Sequence, residues 1–351
     1  MKIAQVSPLA ESVPPKAYGG TERIVSYLTE ELVRQGHEVT LFASGDSTTR
    51  AELHATVPTA TRLTPAIKDP WACAALQLEH VRARADEFDV LHFHFDYLHL
   101  PMVRALGLHN TVTTMHGRLD LDGYPELYET FCDAALVSIS DQQRRPLPHC
   151  NWAGTVYHGL PPEVCRFQPR PQGNYLAFLG RISPEKRVDR AIEIAGRAGM
   201  RLRIAAKVDV ADRKYFHESI EPLLTQPHVE FVGEIGEREK CDFLGQASAL
   251  LFPIDWPEPF GLVMIEAMSC GTPCVAWRAG SVPEIINEGV NGFIVDSIDD
   301  AVAAVHRAGS LDRRAVRAEF QQRFSVERMT RDYLAIYRRV AERRFGKAAA
   351  A

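Results

Sequence analysis

The sequence predicts an α/β protein made of two doubly wound domains. Three observations carry that reading. Short apolar runs alternate with amphipathic stretches through the second half, the first half repeats the theme less regularly, and 351 residues are long for a single core.

The first half opens with "KIAQVS" as a strand, followed by "GTERIVSYLTEELVRQG" as a helix closed by Gly36. Strands are then expected at "EVTLFA", "DVLHFHF", "NTVTTMHG", "AALVSIS" and "GTVYHG". The stretch "FQPRPQGN" (167–174), rich in Pro, Gly and Gln, reads as a linker. The domains are therefore expected at 1–168 and 169–325.

In the second half "YLAFLG" is a buried strand, and "PEKRVDRAIEIAGRAG" is a helix with Pro184 at its start. "RLRIAAKV", "VEFVGEI", "ALLFPI", "PCVAW" and "GFIV" follow as strands. Helices are expected around 212–225, 237–246 and 299–308 and from Gly261 onward. "RMTRDYLAIYRRVAERRF" is an amphipathic closing helix, and the last residues, "KAAAA", are expected to fray.

Composition narrows the function classes. A net charge of −5 gives no basic excess for nucleic acid. Residues 1–168 carry 14 Lys and Arg against 20 Asp and Glu, which argues against that half docking on anionic lipid by charge. Residues 312–347 carry 11 against 5. The seven cysteines are odd in number and scattered without C-x-x-C, so reduced thiols, no zinc and a cytoplasmic location are expected. No run of apolar residues is long enough to span a membrane.

Chemistry concentrates in "EPFGLVMIE", where Glu258 and Glu266 stand eight positions apart around Gly261. In doubly wound sheets ligands bind at the carboxyl ends of strands, where helix N-termini present free N–H groups to anions. "ALLFPI" is such a strand and "GLVMIEAMS" such a helix. Glu258 falls in the loop before the helix, and Glu266 about 7 Å along its axis. The spacing acts as a ruler for a diphosphate at the helix start with a sugar hydroxyl pair on either side. An apolar neighbourhood makes an unpartnered Glu266 costly, which favours a working carboxylate over a surface one. "LGRISPEKRVD" adds Arg181 at a strand end and Lys186 at the next helix start, two cations fit to neutralise a diphosphate. Gly19 and Gly20 lie in the first strand-to-helix turn, where backbone can approach phosphate or simply turn.

Other patterns carry less. Asp120 and Asp122 form a D-x-D better read as a polar, acceptor-facing loop than as a metal site. His92 and His94 share a strand face and read as core or cleft histidines, as does His158. Asp96, at a strand end, is a candidate for acceptor hydroxyls.

Taken together, Gly-Gly-Thr-Glu, "TMHG", "GRISPEK", "EPFGLVMIEAMSCGTPCVAW" and "GSVPEIINEGVNGFIV" resemble the retaining glycosyltransferases of family four across nearly the whole chain. One departure is Cys274, where a small or β-branched residue is usual. The resemblance implies the GT-B architecture: two facing Rossmann-like domains with a deep cleft, and a closing helix, about 326–346, that crosses back to the first domain. It implies that the first domain takes the acceptor and the second a nucleotide sugar. Arg181 and Lys186 would hold the diphosphate, and Glu266 the ribose. Glu258 and the backbone from Phe260 through Gly261 and Leu262 to Val263 would hold the sugar and phosphate. His116 would lie under the reacting sugar, Gly19 and Gly20 would close on the phosphates, and backbone near Ile235 would meet the base.

The implied activity is retaining, metal-independent transfer of a hexose, UDP-sugar favoured, to a small-molecule, saccharide or lipid-linked acceptor, with no tightly bound cofactor. A phosphorylase or nucleotide-sugar hydrolase on the same architecture is the alternative. A non-catalytic nucleotide-sugar sensor fits the full set of cations and carboxylates less well.

Overall fold

The computed structural model describes residues 1–16, 19–62 and 64–348, with side chains omitted at Arg238 and from Arg343 on. The Ala-rich end past Ala348 lies outside them, as do Ala17 and Tyr18 beside the Gly-Gly turn. The chain divides into two compact units, Met1–Gly159 with Val326–Ala351, and Leu160–Ser325.

In the first unit β1 (Lys2–Val6) leads to α1 (Gly20–Arg34), β2 (Glu38–Ala43), β3 (Glu52–Ala55), α2 (Pro70–Arg84) and β4 (Val90–Phe93). After these come α3 (Leu100–Ala105), β5 (Thr111–Thr114), α4 (Tyr124–Thr130), β6 (Leu136–Ser138) and β7 (Trp152–Thr155). The strands form one parallel sheet in the order β3-β2-β1-β4-β5-β6-β7. Direction of winding reverses between β1 and β4, and these strands are buried but for Lys2, as a sheet covered on both faces requires, with Gln5 and His92 as buried polar residues among the apolar ones.

The second unit holds β8 (Tyr175–Arg181), α5 (Val188–Arg197), β9 (Arg201–Lys207), α6 (Arg213–Tyr215), β10 (Val229–Gly233), α7 (Glu237–Gly245) and β11 (Ala249–Phe252). It continues with α8 (Leu262–Cys270), β12 (Cys274–Trp277), α9 (Val282–Ile285), β13 (Gly292–Val295), α10 (Ile298–Ala308) and α11 (Arg313–Arg323). Its parallel sheet runs β10-β9-β8-β11-β12-β13, reversing between β8 and β11. One apolar core under β8, β9 and α5 includes Leu176, Ile192, Ile204 and Leu251. The closing helix α12 (Val326–Ala348) belongs to the first unit, and its Tyr333 and Tyr337 are wholly buried there.

Four sequence expectations are corrected. The division falls at 159/160, not near 168, because residues 160–168 are tied into the second unit. Leu160 N–H donates to Phe324 O at 2.9 Å, and the buried Arg313 guanidinium bonds Gln168 O at 2.7 Å and Gly245 O at 2.8 Å. The Pro-rich stretch is thus an internal loop of that unit. Second, Pro184 opens a 3-10 turn, 184–186, and not α5; Arg187 at φ 52° separates the two. Third, residues 210–225 are short 3-10, α and π turns, since Pro222 removes an N–H that a continuous helix needs. Fourth, the cysteines are not all thiols: Cys165 and Cys241, 76 positions apart, are joined as a disulfide. No local spacing announces that pair, and the inference of a reducing compartment loses its premise. Helices α2, α3, α4, α9 and α11 and strand β3 were not anticipated.

Candidate active site

The second sheet reverses its winding between β8 and β11, the place where doubly wound sheets bind ligands at the carboxyl ends of their strands. Arg181 is the last residue of β8, and the loop Pro253–Gly261 leaves β11 to enter α8. Gly261 caps α8 at φ +81°, a conformation that L side chains rarely adopt. The φ is what favours glycine, and a Cβ there would in addition press on Met264 Cε at 2.7 Å and the Phe252 ring at 3.2 Å. It contributes no capping side chain, and the first turn, Leu262 and Val263, is half-buried. Phe260 is buried with its ring edge-on to Phe324 at 6.2 Å, which restricts its part in the site to its backbone.

The loop is clamped from behind. Ser281 N–H donates to Glu258 O at 3.0 Å, and Ser281 Oγ donates to Phe260 O at 2.7 Å. Gly280, at φ +52°, packs so tightly that a Cβ would lie 2.3 Å from both Glu258 N and Glu258 O. The backbone of Glu258 is therefore fixed before its carboxylate does anything. That carboxylate accepts from Trp256 Nε1 at 3.0 Å and from Lys186 Nζ, while the ammonium also sits 4.8 Å from the Trp256 ring centroid. Arg181 ion-pairs with Glu185 at 3.3 Å and Asp209 at 3.7 Å. Asp255 N–H donates to Glu185 O at 2.8 Å, joining the Arg181–Lys186 turn to the loop that carries Glu258.

Glu266 is 5% exposed inside α8 and accepts from Lys240 Nζ at 2.8 Å. Lys240 lies on α7 and also pairs with Glu237 at 3.1 Å. Sequence reasoning missed it; its one signal is the i,i+3 spacing from Glu237. Ile235 is half-buried in the turn between β10 and α7.

The sequence candidates of the first unit fall at its own strand ends. His116 follows β5 and His94 follows β4, with His94 Nδ1 and His116 Nε2 3.0 Å apart. His158 stacks on His116 at 5.4 Å between ring centroids and 16° between planes. Burial pushes the His116 imidazole down to about 3, so the ring is neutral at physiological pH. His92 is buried and bonded to Tyr337 and Thr114, a satisfied core histidine as expected. Gly19 and Gly20 form the cap and first residue of α1, whose first turn already carries Glu22. Burial raises the Glu22 carboxyl, and its neighbours Arg62 and Glu11 act against each other on it. Asp96 is half-buried, its carboxyl raised by burial, and Tyr128 OH bonds its backbone carbonyl at 3.3 Å. Asp120 is held by both arms of Arg118 at 2.8 Å, which accounts for that carboxylate within its own loop.

Two family profiles match this chain: "Glycosyl transferases group 1" over residues 166–323, and "Glycosyltransferase Family 4" over 18–151. The first spans Arg181, Lys186, Glu258 and Glu266; the second spans Gly19 and His116. The chain belongs to the group 1, family 4 glycosyltransferases.

This family 4 member is 26% identical over 345 residues to an uncharacterized glycosyltransferase of Methanocaldococcus jannaschii, covering 84% of this chain and 85% of that one. It is 31% identical over 194 residues to a D-inositol 3-phosphate glycosyltransferase of Mycobacterium marinum, covering 48% of this chain but only 39% of the relative. Among solved structures it resembles AviGT4, a glycosyltransferase involved in avilamycin A biosynthesis, with a TM-score of 0.74 and 25% identity over 97% and 98% of the two chains. The two parallel sheets are those of the GT-B class. Among the described residues no helix is long and apolar enough to cross a membrane.

Proposed function

We propose that this protein is a retaining, metal-independent hexosyltransferase that takes a nucleoside-diphosphate sugar, UDP-sugar favoured, and glycosylates an acceptor hydroxyl. The observation that carries the reading is the set of groups at the second unit's winding reversal. An uncapped helix start has Arg181, Lys186 and Glu258 on the strand end, turn and loop beside it, and Glu266 follows inside the same helix, paired with Lys240.

In this reading the diphosphate lies at the start of α8, with Arg181 and Lys186 as its counter-charges, and Glu266 accepts from the ribose hydroxyls. Glu258 accepts from hydroxyls of the donor sugar. Backbone of Phe260, Gly261, Leu262 and Val263 serves sugar and phosphate, backbone near Ile235 serves the base, and the Gly19–Gly20 turn serves the phosphates. His116 contacts the reacting sugar, and Asp96 and Asp120 are offered to the acceptor.

The bond between the anomeric carbon and the diphosphate oxygen breaks, with the electron pair leaving on the nucleoside diphosphate. The acceptor hydroxyl oxygen attacks that carbon from the same face, and its proton passes to the departing phosphate oxygen. The two cations and the helix dipole supply the charge stabilisation that a divalent ion would otherwise give. The acceptor is a small molecule, a saccharide or a lipid-linked glycan.

The test is a thermal-shift and calorimetric panel of UDP, GDP, ADP and dTDP, each beside its sugar conjugate, on the wild type and Glu266→Ala. Stabilisation by one nucleotide that the variant loses supports the donor site. No response to any nucleotide removes it. Product analysis then separates transfer to a hydroxyl from transfer to phosphate or water.

A further inference from the structure

A buried relay runs from the closing helix to His116. Tyr337, on α12, accepts from Gln5 Nε2 at 3.0 Å; Gln5 Oε1 faces His94 Nε2 at 2.7 Å; and His94 Nδ1 faces His116 Nε2 at 3.0 Å. Gln5 and Tyr337 are 332 positions apart, and both are wholly buried, with His94 2% exposed.

We infer that Gln5, His94 and Tyr337 are positioning residues that hold the proton of His116 on Nε2 and leave its buried Nδ1 bare. The inference rests on the reading of His116 as a substrate-contacting group.

The direction follows from donor and acceptor chemistry. An amide oxygen only accepts, so His94 carries its proton on Nε2, and its Nδ1 can only accept. His116 must then donate through Nε2, and a neutral imidazole keeps its other nitrogen bare. A second branch agrees. Tyr337, having accepted from Gln5, gives its proton to His92 Nδ1 at 2.6 Å, and His92 Nε2–H then donates to Thr114 Oγ1 at 2.7 Å. Thr114 in turn meets Tyr333 OH at 3.0 Å.

Turning the Gln5 amide over would reverse every bond and place a proton on His116 Nδ1. That atom is buried and has no hydrogen-bond partner among the described residues. An orphaned buried N–H is disfavoured more than an unfilled lone pair, so the forward direction wins. The stacked His158 ring holds the imidazole plane, and burial keeps His92, His94 and His116 neutral, so no second proton blurs the assignment.

The test is 15N NMR of the full chain labelled at histidine, without substrate, with His116→Asn to assign the signals. The wild type is expected to show His116 Nε2 in the protonated range and Nδ1 in the unprotonated range. Gln5→Leu removes the acceptor of His94, and the His116 Nδ1 signal moves toward the protonated range while circular dichroism is retained. Tyr337→Phe frees the amide and gives a mixture. A wild type protonated at Nδ1 overturns the inference, as does a folded Gln5→Leu with unchanged His116 signals. If Gln5→Leu does not fold, the wild-type pattern and Tyr337→Phe decide. Because the readout needs no nucleotide, its outcome is separate from that of the donor panel.

Discussion

Lys186 Nζ bonds Glu258 Oε2, joining a 3-10 turn after β8 to the loop before α8 across 72 positions. The side chains are only 15% and 12% exposed, so each offsets a charge that would otherwise be poorly solvated. In the proposed reading a diphosphate drawn to Lys186 would compete with Glu258 for it and release the carboxylate to sugar hydroxyls.

Lys186→Met is expected to cost roughly 10²–10³ in turnover with the donor identified by thermal shift, the scale of one lost charge-stabilising donor. It also leaves Glu258 short of a partner, at about 1–3 kcal/mol of stability. The double variant Lys186→Met, Glu258→Gln should recover the stability and not the turnover. Urea midpoints and initial rates check both. Near-normal turnover in Glu258→Gln alone would make that carboxylate a positioning group.

Glu266→Ala removes a charged acceptor and should weaken nucleotide binding by roughly 10–100-fold, the equivalent of about 1.5–3 kcal/mol. Lys240 keeps Glu237 as its partner, so the fold survives. Calorimetric titration measures the change; an unaltered dissociation constant sinks the ribose assignment.

Gly280→Ala puts a Cβ against the Glu258 backbone in a left-handed conformation. The expected loss is about 1–3 kcal/mol from strain, with a displaced Glu258 and reduced donor binding. The measurement is the denaturant midpoint alongside nucleotide titration. A wild-type midpoint would show that the Glu258–Gly280 approach relaxes freely.

Seven histidines of the first unit, His37, His54, His92, His94, His99, His116 and His158, have imidazoles lowered by burial, His99 and His116 to about 3. A folded-state value below the unfolded one means that stability is full above about pH 6.5 and is lost as pH falls toward the folded value. Each contributes a slope of up to about 1.4 kcal/mol per pH unit once the unfolded histidine is protonated. Urea midpoints at pH 8, 7, 6 and 5 should be level at first and then drop, and a flat profile down to pH 5 would falsify the neutral-histidine core.

Arg313→Ala strands the carbonyls of Gln168, Gly245 and Ala247, all bonded by one guanidinium, while the Thr272 hydroxyl it also reaches keeps its bond to Leu244 O. The expected cost is about 3 kcal/mol or more. Limited proteolysis should then open the 160–174 segment first, because Arg313 holds its Gln168 carbonyl.

The doubly wound sheets were legible because parallel strands covered on both faces are short apolar runs, as at "YLAFLG" and "ALLFPI". The two glutamates were legible too, because helix pitch turns their sequence spacing into distance. The polar-looking helix α11 and the weakly patterned α2 were not, since tertiary packing rather than their own periodicity holds them.

By itself, then, the sequence determined the strand-and-helix alternation, the Glu258–Gly261–Glu266 ruler around the α8 start and the placing of Arg181 at the end of β8 with Lys186 in the turn that follows. These are local: a period, a cap or a count along one helix. Only the tertiary structure decided that Lys186 meets Glu258, that Lys240 meets Glu266, that Cys165 meets Cys241, and that Tyr337 reaches His116 through Gln5 and His94. Those pairs are separated by tens to hundreds of positions, and nothing in a linear pattern encodes which distant polar groups burial will force to satisfy one another.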